Sequence, residues 1–167
     1  MVEIRSVPGK ETIKYEGIFS VKELYKLLGQ IIDDKGYVPV ETFAEETVEK
    51  TGKAIELDME PFKKMTDYAK SVIKIKIRIA DCKDVEIAKG KDKKQKLNKG
   101  KISIEIDPYL ETDYEHRWEA TPYLYVIRTL FEKYIYTPFL SGFNNQVIED
   151  TNFLKDQIKA FLNLYKM

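Results

Sequence analysis

The sequence predicts an α+β domain: an antiparallel β-meander of about five to six strands, with an N-terminal helix and two to three C-terminal helices packed on one face. Three observations predict it. Apolar residues recur at helical spacing over 20–35, at strict alternation between Tyr37 and Leu110, and at helical spacing again beyond Tyr109. A sheet curled around a long C-terminal helix, as in helix-grip folds, is one concrete version of that layout. The whole chain, 1–167, reads as one α+β domain, with 1–10 irregular around the Pro8-Gly9 turn.

Ile13 to Phe19 suits a short strand. Ser20 with Glu23 three positions on is a capping box, each side chain satisfying an N–H that the first helical turn leaves orphaned. Val21, Leu24, Leu27, Leu28, Ile31 and Ile32 then mark one helical face, and Gly36 stands where a left-handed C-terminal cap belongs, so a helix is expected over 20–35. Val38 to Glu49 reads as a strand, with Pro39 near its start, and 50–53 as a turn. Ile55, Leu57 and Met59 alternate with acids, and Ile73, Ile75, Ile77 and Ile79 alternate with Lys74, Lys76 and Arg78. Val85 to Ala88 predicts a short strand, and Ile102, Ile104 and Ile106 another. Such alternation belongs to strands with one face buried and one wet. On the wet face Glu56, Asp58 and Glu60 are placed to meet Lys74, Lys76 and Arg78, with Glu105 and Asp107 extending the ladder; such pairs set strand register. Thr121-Pro122 suits a helix start, and Pro138 ends or kinks that helix. The remainder to Tyr165 is helical, as one helix or two, because Gly142 and Asn144-Asn145 weaken its first half.

Lysine plus arginine equals aspartate plus glutamate at 28 each, so bulk charge selects neither nucleic acid nor membrane as partner. The lone Cys82 excludes an intramolecular disulfide and a multi-cysteine zinc site. The N-terminus has no apolar signal-like run, and no stretch approaches the ~18 to 20 apolar residues of a membrane span. A cytoplasmic protein without a membrane span is therefore expected. Abundant Lys, Glu, Ile and Tyr with sparse Ala and Gln suit an archaeal or thermophilic source, and equally an AT-rich genome.

The strongest compositional anomaly is the lysine-rich stretch 89–101, expected as an exposed hairpin loop between strands. Lys91, Lys93, Lys94, Lys96 and Lys99 are its candidates for an anionic partner, nucleic acid above all. It lacks the interleaved aromatics that stack bases, and the plainer reading is a solvated tip guarding a sheet edge. A second candidate is the aromatic surface of the last third, where Trp118, Tyr123, Tyr125, Tyr136, Phe139 and Phe143 exceed what one helical stripe buries and point to an interface or pocket. Glu111, Asp113, Glu115, His116 and Glu119 offer oxygens to a hard cation, but a single histidine and no metal motif make a strand-to-helix junction the simpler account. Cys82 has no local general base, Ser141-Gly142 is no nucleophile elbow, and Gly90 and Gly100 lack P-loop spacing. No catalytic residue, metal or cofactor is assigned, and an enzyme is the least supported class.

Several segments resemble a family of small archaeal α+β proteins to which no activity is assigned. They are the helix over 20–35, Lys83-Asp84-Val85-Glu86-Ile87, Gly100-Lys101-Ile102-Ser103-Ile104-Glu105-Ile106, Asp113-Tyr114-Glu115 with Trp118-Glu119, Arg128, Lys133-Tyr134-Ile135, and Ile158-Lys159-Ala160-Phe161-Leu162. The resemblance spans 20–165 and transfers no site residue. The expected function is a non-enzymatic binding or assembly module, acting through the aromatic helical surface or a sheet edge on a protein partner or a second copy of itself. The alternatives are a nucleic-acid accessory protein using the lysine stretch and a helix-grip carrier of an apolar small molecule.

Overall fold

The computed structural model describes residues 3–48, 50, 52–88, 94–112 and 137–163. In chain order the elements are β1 (Glu3–Ser6), β2 (Glu11–Phe19), α1 (Val21–Asp34), β3 (Glu41–Val48), β4 (Lys53–Met59), β5 (Phe62–Lys64), β6 (Ala69–Ala88), β7 (Lys94–Thr112) and α2 (Thr137–Asn163). All seven strands join one antiparallel sheet built on the long β6–β7 pair. β2 and β1 line up end to end along the free side of β7, β4 and β5 along the free side of β6, and β3 closes on β4.

This architecture corrects the expected fold class. Strands dominate, there are seven rather than about five or six, and among the described residues only two helices occur, one of them C-terminal. The runs 73–79 and 85–88 are a single 20-residue strand, because the ladder with β7 resumes beyond a bulge between Ala80 and Lys83. Stretch 94–101, expected within a loop, is strand as well, with Lys96 opposite Glu86 and Lys99 opposite Lys83. The N-terminal residues expected to be irregular hold β1, paired from Glu3 opposite Thr112 to Ser6 opposite Tyr109. Strand β3 begins at Glu41, and Val38 makes only an isolated bridge to Phe62. The last segment is one 27-residue helix. Gly142 weakens its propensity without breaking it, and Pro138 sits in its first turn, where no intrahelical N–H bond is lost. The helix expected from Thr121-Pro122 lies outside the described residues.

Helix α1 starts and stops as its local chemistry dictates. Ser20 Oγ accepts from the Glu23 N–H at 3.2 Å. At the other end Gly36 adopts φ +72°, its N–H donates to Asp33 O, and the Tyr37 N–H donates to Ile32 O, which is a complete Schellman motif. The buried stripe Leu24, Leu28, Ile31 and Ile32 meets Leu154, Ile158 and Leu162 of α2 over the same isoleucine-rich sheet face. Ile75, Ile104 and Ile106 are completely buried there. Each such side chain contributes about 1.5–3 kcal/mol of burial, so alternation on β6 and β7 specifies this face strongly.

The opposite face carries the ion-pair ladder. Arg78 reaches Asp58 at 2.5 Å and Glu56 at 3.3 Å, Lys74 reaches Glu60 at 2.6 Å, and Lys10 from the β1–β2 connection reaches Glu105 at 2.9 Å. The guanidinium of Arg78 holds Asp58 below the usual carboxylate range, and Lys10 does the same to Glu105. Their contribution is therefore present above the ordinary carboxylate range and is lost as pH falls through the lowered values.

Where α1, α2 and the sheet meet, a buried polar group replaces apolar packing. The Tyr37 hydroxyl donates to Asp150 Oδ2 at 3.3 Å and accepts from Ser71 Oγ at 3.1 Å, while Lys35 pairs with Asp150 Oδ1 at 3.1 Å. The recess beside them holds about 10 Å³, too little for an organic ligand. Burial pushes the Tyr37 hydroxyl up to about 12, with the Asp150 charge adding to it. Because the folded state keeps this proton longer than the unfolded chain, the stabilisation is whole below the ordinary tyrosine value of 10.0 and is lost as pH rises toward 12. We expect unfolding free energy measured by urea titration to drop by about 2–3 kcal/mol from this group across that interval, and Tyr37→Phe to flatten the drop. A variant with an unchanged alkaline slope would show that Tyr37 ionises freely.

Candidate interaction edge and groove

Strand β3 has the sequence Glu41-Thr42-Phe43-Ala44-Glu45-Glu46-Thr47-Val48, which lacks the apolar alternation of β6 and β7. It has no full apolar face to bury, and among the described strands it takes the outermost place in the sheet. All eight of its residues are exposed, Val48 at 78% and Phe43 at 44%, and among the described strands it pairs only with β4. Its register sets Ala44 opposite Leu57 and Glu46 opposite Ile55, on the side of the sheet that carries the core, and Glu45 opposite Glu56 on the charged side. Two carboxylates face each other there, and Arg78 beyond Glu56 partly offsets them.

Helix α1 covers the centre of the sheet but leaves β3 and β4 overhanging. The result is an open groove of about 670 Å³, floored by Ala44, Ile55 and Leu57 and walled by Val21 and Tyr25 of α1. Its rim is acidic. The Tyr25 hydroxyl donates to Glu41 across one end, which pushes that hydroxyl up, and Lys53 pairs with Glu46 at 3.1 Å. Asp84 and Asn98 close the far end, where Asn98 Oδ1 caps the helix by accepting from the Val21 N–H at 3.1 Å.

The far end is shaped by the bulge in β6. Asp81 and Cys82 together oppose Gly100, and Asp81 takes the left-handed φ of 54°. Glycines on both sides make room, one on β7 and one just before β4: a Cβ at Gly100 would lie 2.9 Å from Ala80 O, and one at Gly52 would lie 2.8 Å from Cys82 O. Burial, with Asp84 adding to it, raises the Cys82 thiol, so this cysteine stays protonated at neutral pH and offers no activated nucleophile. What the site does offer is recognition chemistry: the main-chain groups of an edge strand, a row of carboxylates, and an apolar strip beside them.

Comparison with known proteins finds no matching family model, no similar curated protein and no similar solved structure. The assignment of this edge and groove accordingly rests on their geometry.

The residues singled out from sequence fall elsewhere. Lys96 and Lys99 are exposed on β7, Lys94 opens that strand, and Lys91 and Lys93 lie outside the described residues. Trp118, Tyr123, Tyr125 and Tyr136 also lie outside them, as do Asp113, Glu115, His116 and Glu119. Phe139 belongs to the first turn of α2. Phe143 packs half-buried against the cluster of Val7, Ala69, Leu110 and Val147. Glu111 pairs with Lys70 at 2.8 Å across the β6–β7 ladder. Among the described residues no helix is long and apolar enough to cross a membrane. Sequence reasoning recognised β3 as a strand and missed it as the edge. The available signal was its failure to alternate combined with its acids, a composition that edge strands tolerate and central strands do not.

Proposed function

We propose that the protein is a non-enzymatic binding module that receives an extended basic segment of a protein partner along β3. The observation that carries this reading is the fully exposed eight-residue edge strand with an apolar-floored acidic groove beside it. An added strand gains main-chain hydrogen bonds from the edge, places alternate side chains over Ala44, Ile55 and Leu57 between Glu41 and Glu46 on the groove side, and sets its lysines or arginines against Glu45 on the charged side. Those acids oppose pairing of β3 with an acidic strand, and so select for the opposite charge.

A fluorescein-labelled eight-residue peptide alternating lysine and valine, matched to the length of β3, is a direct probe. Its anisotropy titration is expected to show binding that weakens with added salt. The double substitution Glu45→Lys with Glu46→Lys is expected to weaken it at least about tenfold. Equal affinity for that variant, or for a glutamate–valine peptide, would refute the reading.

A further inference from the structure

We infer that one such partner is a second copy of this chain, whose lysine-bearing β6–β7 arm docks on the acidic β3 edge of its neighbour. The inference rests on the reading of β3 as a docking edge. The chain has no net charge, yet β3 and the 89–101 stretch differ in sign. Strand β3 carries Glu41, Glu45 and Glu46 with no basic residue between them, and Glu56 stands directly opposite Glu45. At the other place, Lys83 and Lys96 are exposed on the β6–β7 arm beside exposed Asp84 and Glu86, Lys99 and Lys101 are exposed at its base, and the sequence 89–101 carries seven lysines to one aspartate.

That end projects beyond the rest of the sheet. The pairing of β4 with β6 stops opposite Cys82, and the pairing of β2 with β7 stops opposite Asn98, whereas β6 and β7 continue together to Ala88 and Lys94. Among the described residues this makes a two-stranded arm with no further strand paired along either side. Symmetric pairing of β3 with β3 would crowd three glutamates from each copy into one strand pair, which disfavours a two-fold dimer through that edge. Pairing the arm of one copy with β3 of the next matches charge and supplies strand to edge. Arm and edge are different surfaces, so the contact is head-to-tail and generates a ring or an open chain.

Sedimentation velocity tests this directly. The unaltered chain is expected to associate beyond a dimer with rising concentration up to about 1 mM, the weak end of specific binding, and to dissociate in high salt. Variant E45K/E46K retains an arm, and variant K96Q/K99Q, neutralised so that it does not complement the reversed edge, retains an edge. Each alone is expected to sediment as a monomer, and an equimolar mixture as a 1:1 complex that grows no further, because only one competent interface remains. Far-ultraviolet circular dichroism matching the unaltered chain verifies that both variants are folded. A monomeric unaltered chain at every concentration, undiminished association of either variant, or a monomeric mixture of folded variants would each overturn the inference. If the unaltered chain is monomeric while the lysine–valine peptide still binds, β3 remains a docking edge for a different protein. If neither associates, both readings fall.

Discussion

Gly100→Val is expected to lower the unfolding free energy by about 3 kcal/mol or more, the largest single-site loss in the sheet. Gly100 faces the two-residue bulge of the neighbouring strand. A Cβ there would meet Ala80 O at 2.9 Å and the Cys82 Cα at 3.1 Å, both backbone atoms that no rotamer change can move away. A branched side chain must therefore displace β6 or open the β6–β7 ladder at its bend. Relief from the other side is limited, because Gly52 packs there so tightly that a Cβ on it would lie 2.8 Å from Cys82 O. Urea denaturation with an unchanged m-value would report the loss as one of stability. Asp81→Gly is the matching control. It removes an L-residue from the left-handed region at the same bulge and is expected to cost nothing measurable, or to stabilise by up to about 1 kcal/mol. A Gly100→Val protein as stable as the unaltered chain would show that the bulge is not held between two glycines.

Asp150→Ala is expected to cost about 3 kcal/mol. Asp150 is 6% exposed and accepts from Tyr37 while pairing with Lys35, so it joins α2 to the C-terminal end of α1 and, through Tyr37 and Ser71, to β6. Its removal leaves the Lys35 ammonium without its carboxylate in a site where that side chain is only 28% exposed, and leaves the Tyr37 hydroxyl without its acceptor. Lys35 also stands 4.6 Å from the centre of the Phe153 ring, an attraction that offsets a small part of the loss. Lys35→Met in the Asp150→Ala background should recover part of the loss, since an apolar pair of similar volume has no charge to desolvate. Thermal unfolding of the two variants and their double mutant measures this, and strict additivity would exclude the coupling.

Much of the sheet was legible because isoleucine alternation is a local signal with a single solution. Ile73 to Ile79 and Ile102 to Ile106 bury one face, and a slip by one residue would expose the whole set. The charges between them were legible for the same reason, since Lys74 and Arg78 meet Glu60, Asp58 and Glu56; the bridge of Lys10 to Glu105 and Asp107 was not, because Lys10 comes from the distant β1–β2 connection. The number of strands was not legible. A bulge at Asp81-Cys82 interrupts the apolar period without interrupting the ladder, so one strand of 20 residues reads as two. Strand β1 reads as irregular because its pairing partner lies about a hundred residues away, at Tyr109 to Thr112.

The candidate site was the least visible part, and the reason is physical. An edge is defined by what does not pair with it, which depends on the order of strands and not on the residues of β3. The groove likewise exists only because α1 is too far toward the centre of the sheet to cover Ile55 and Leu57. By itself the sequence determined where α1 begins and ends, through Ser20 and Gly36, and which faces of β6 and β7 turn inward, because caps and two-residue periods act between neighbours. Only the tertiary structure decided that β3 stands outermost, that Tyr37, Ser71 and Asp150 converge, and that the lysines of β7 project on an arm, because those outcomes follow from strand order and from contacts between distant segments.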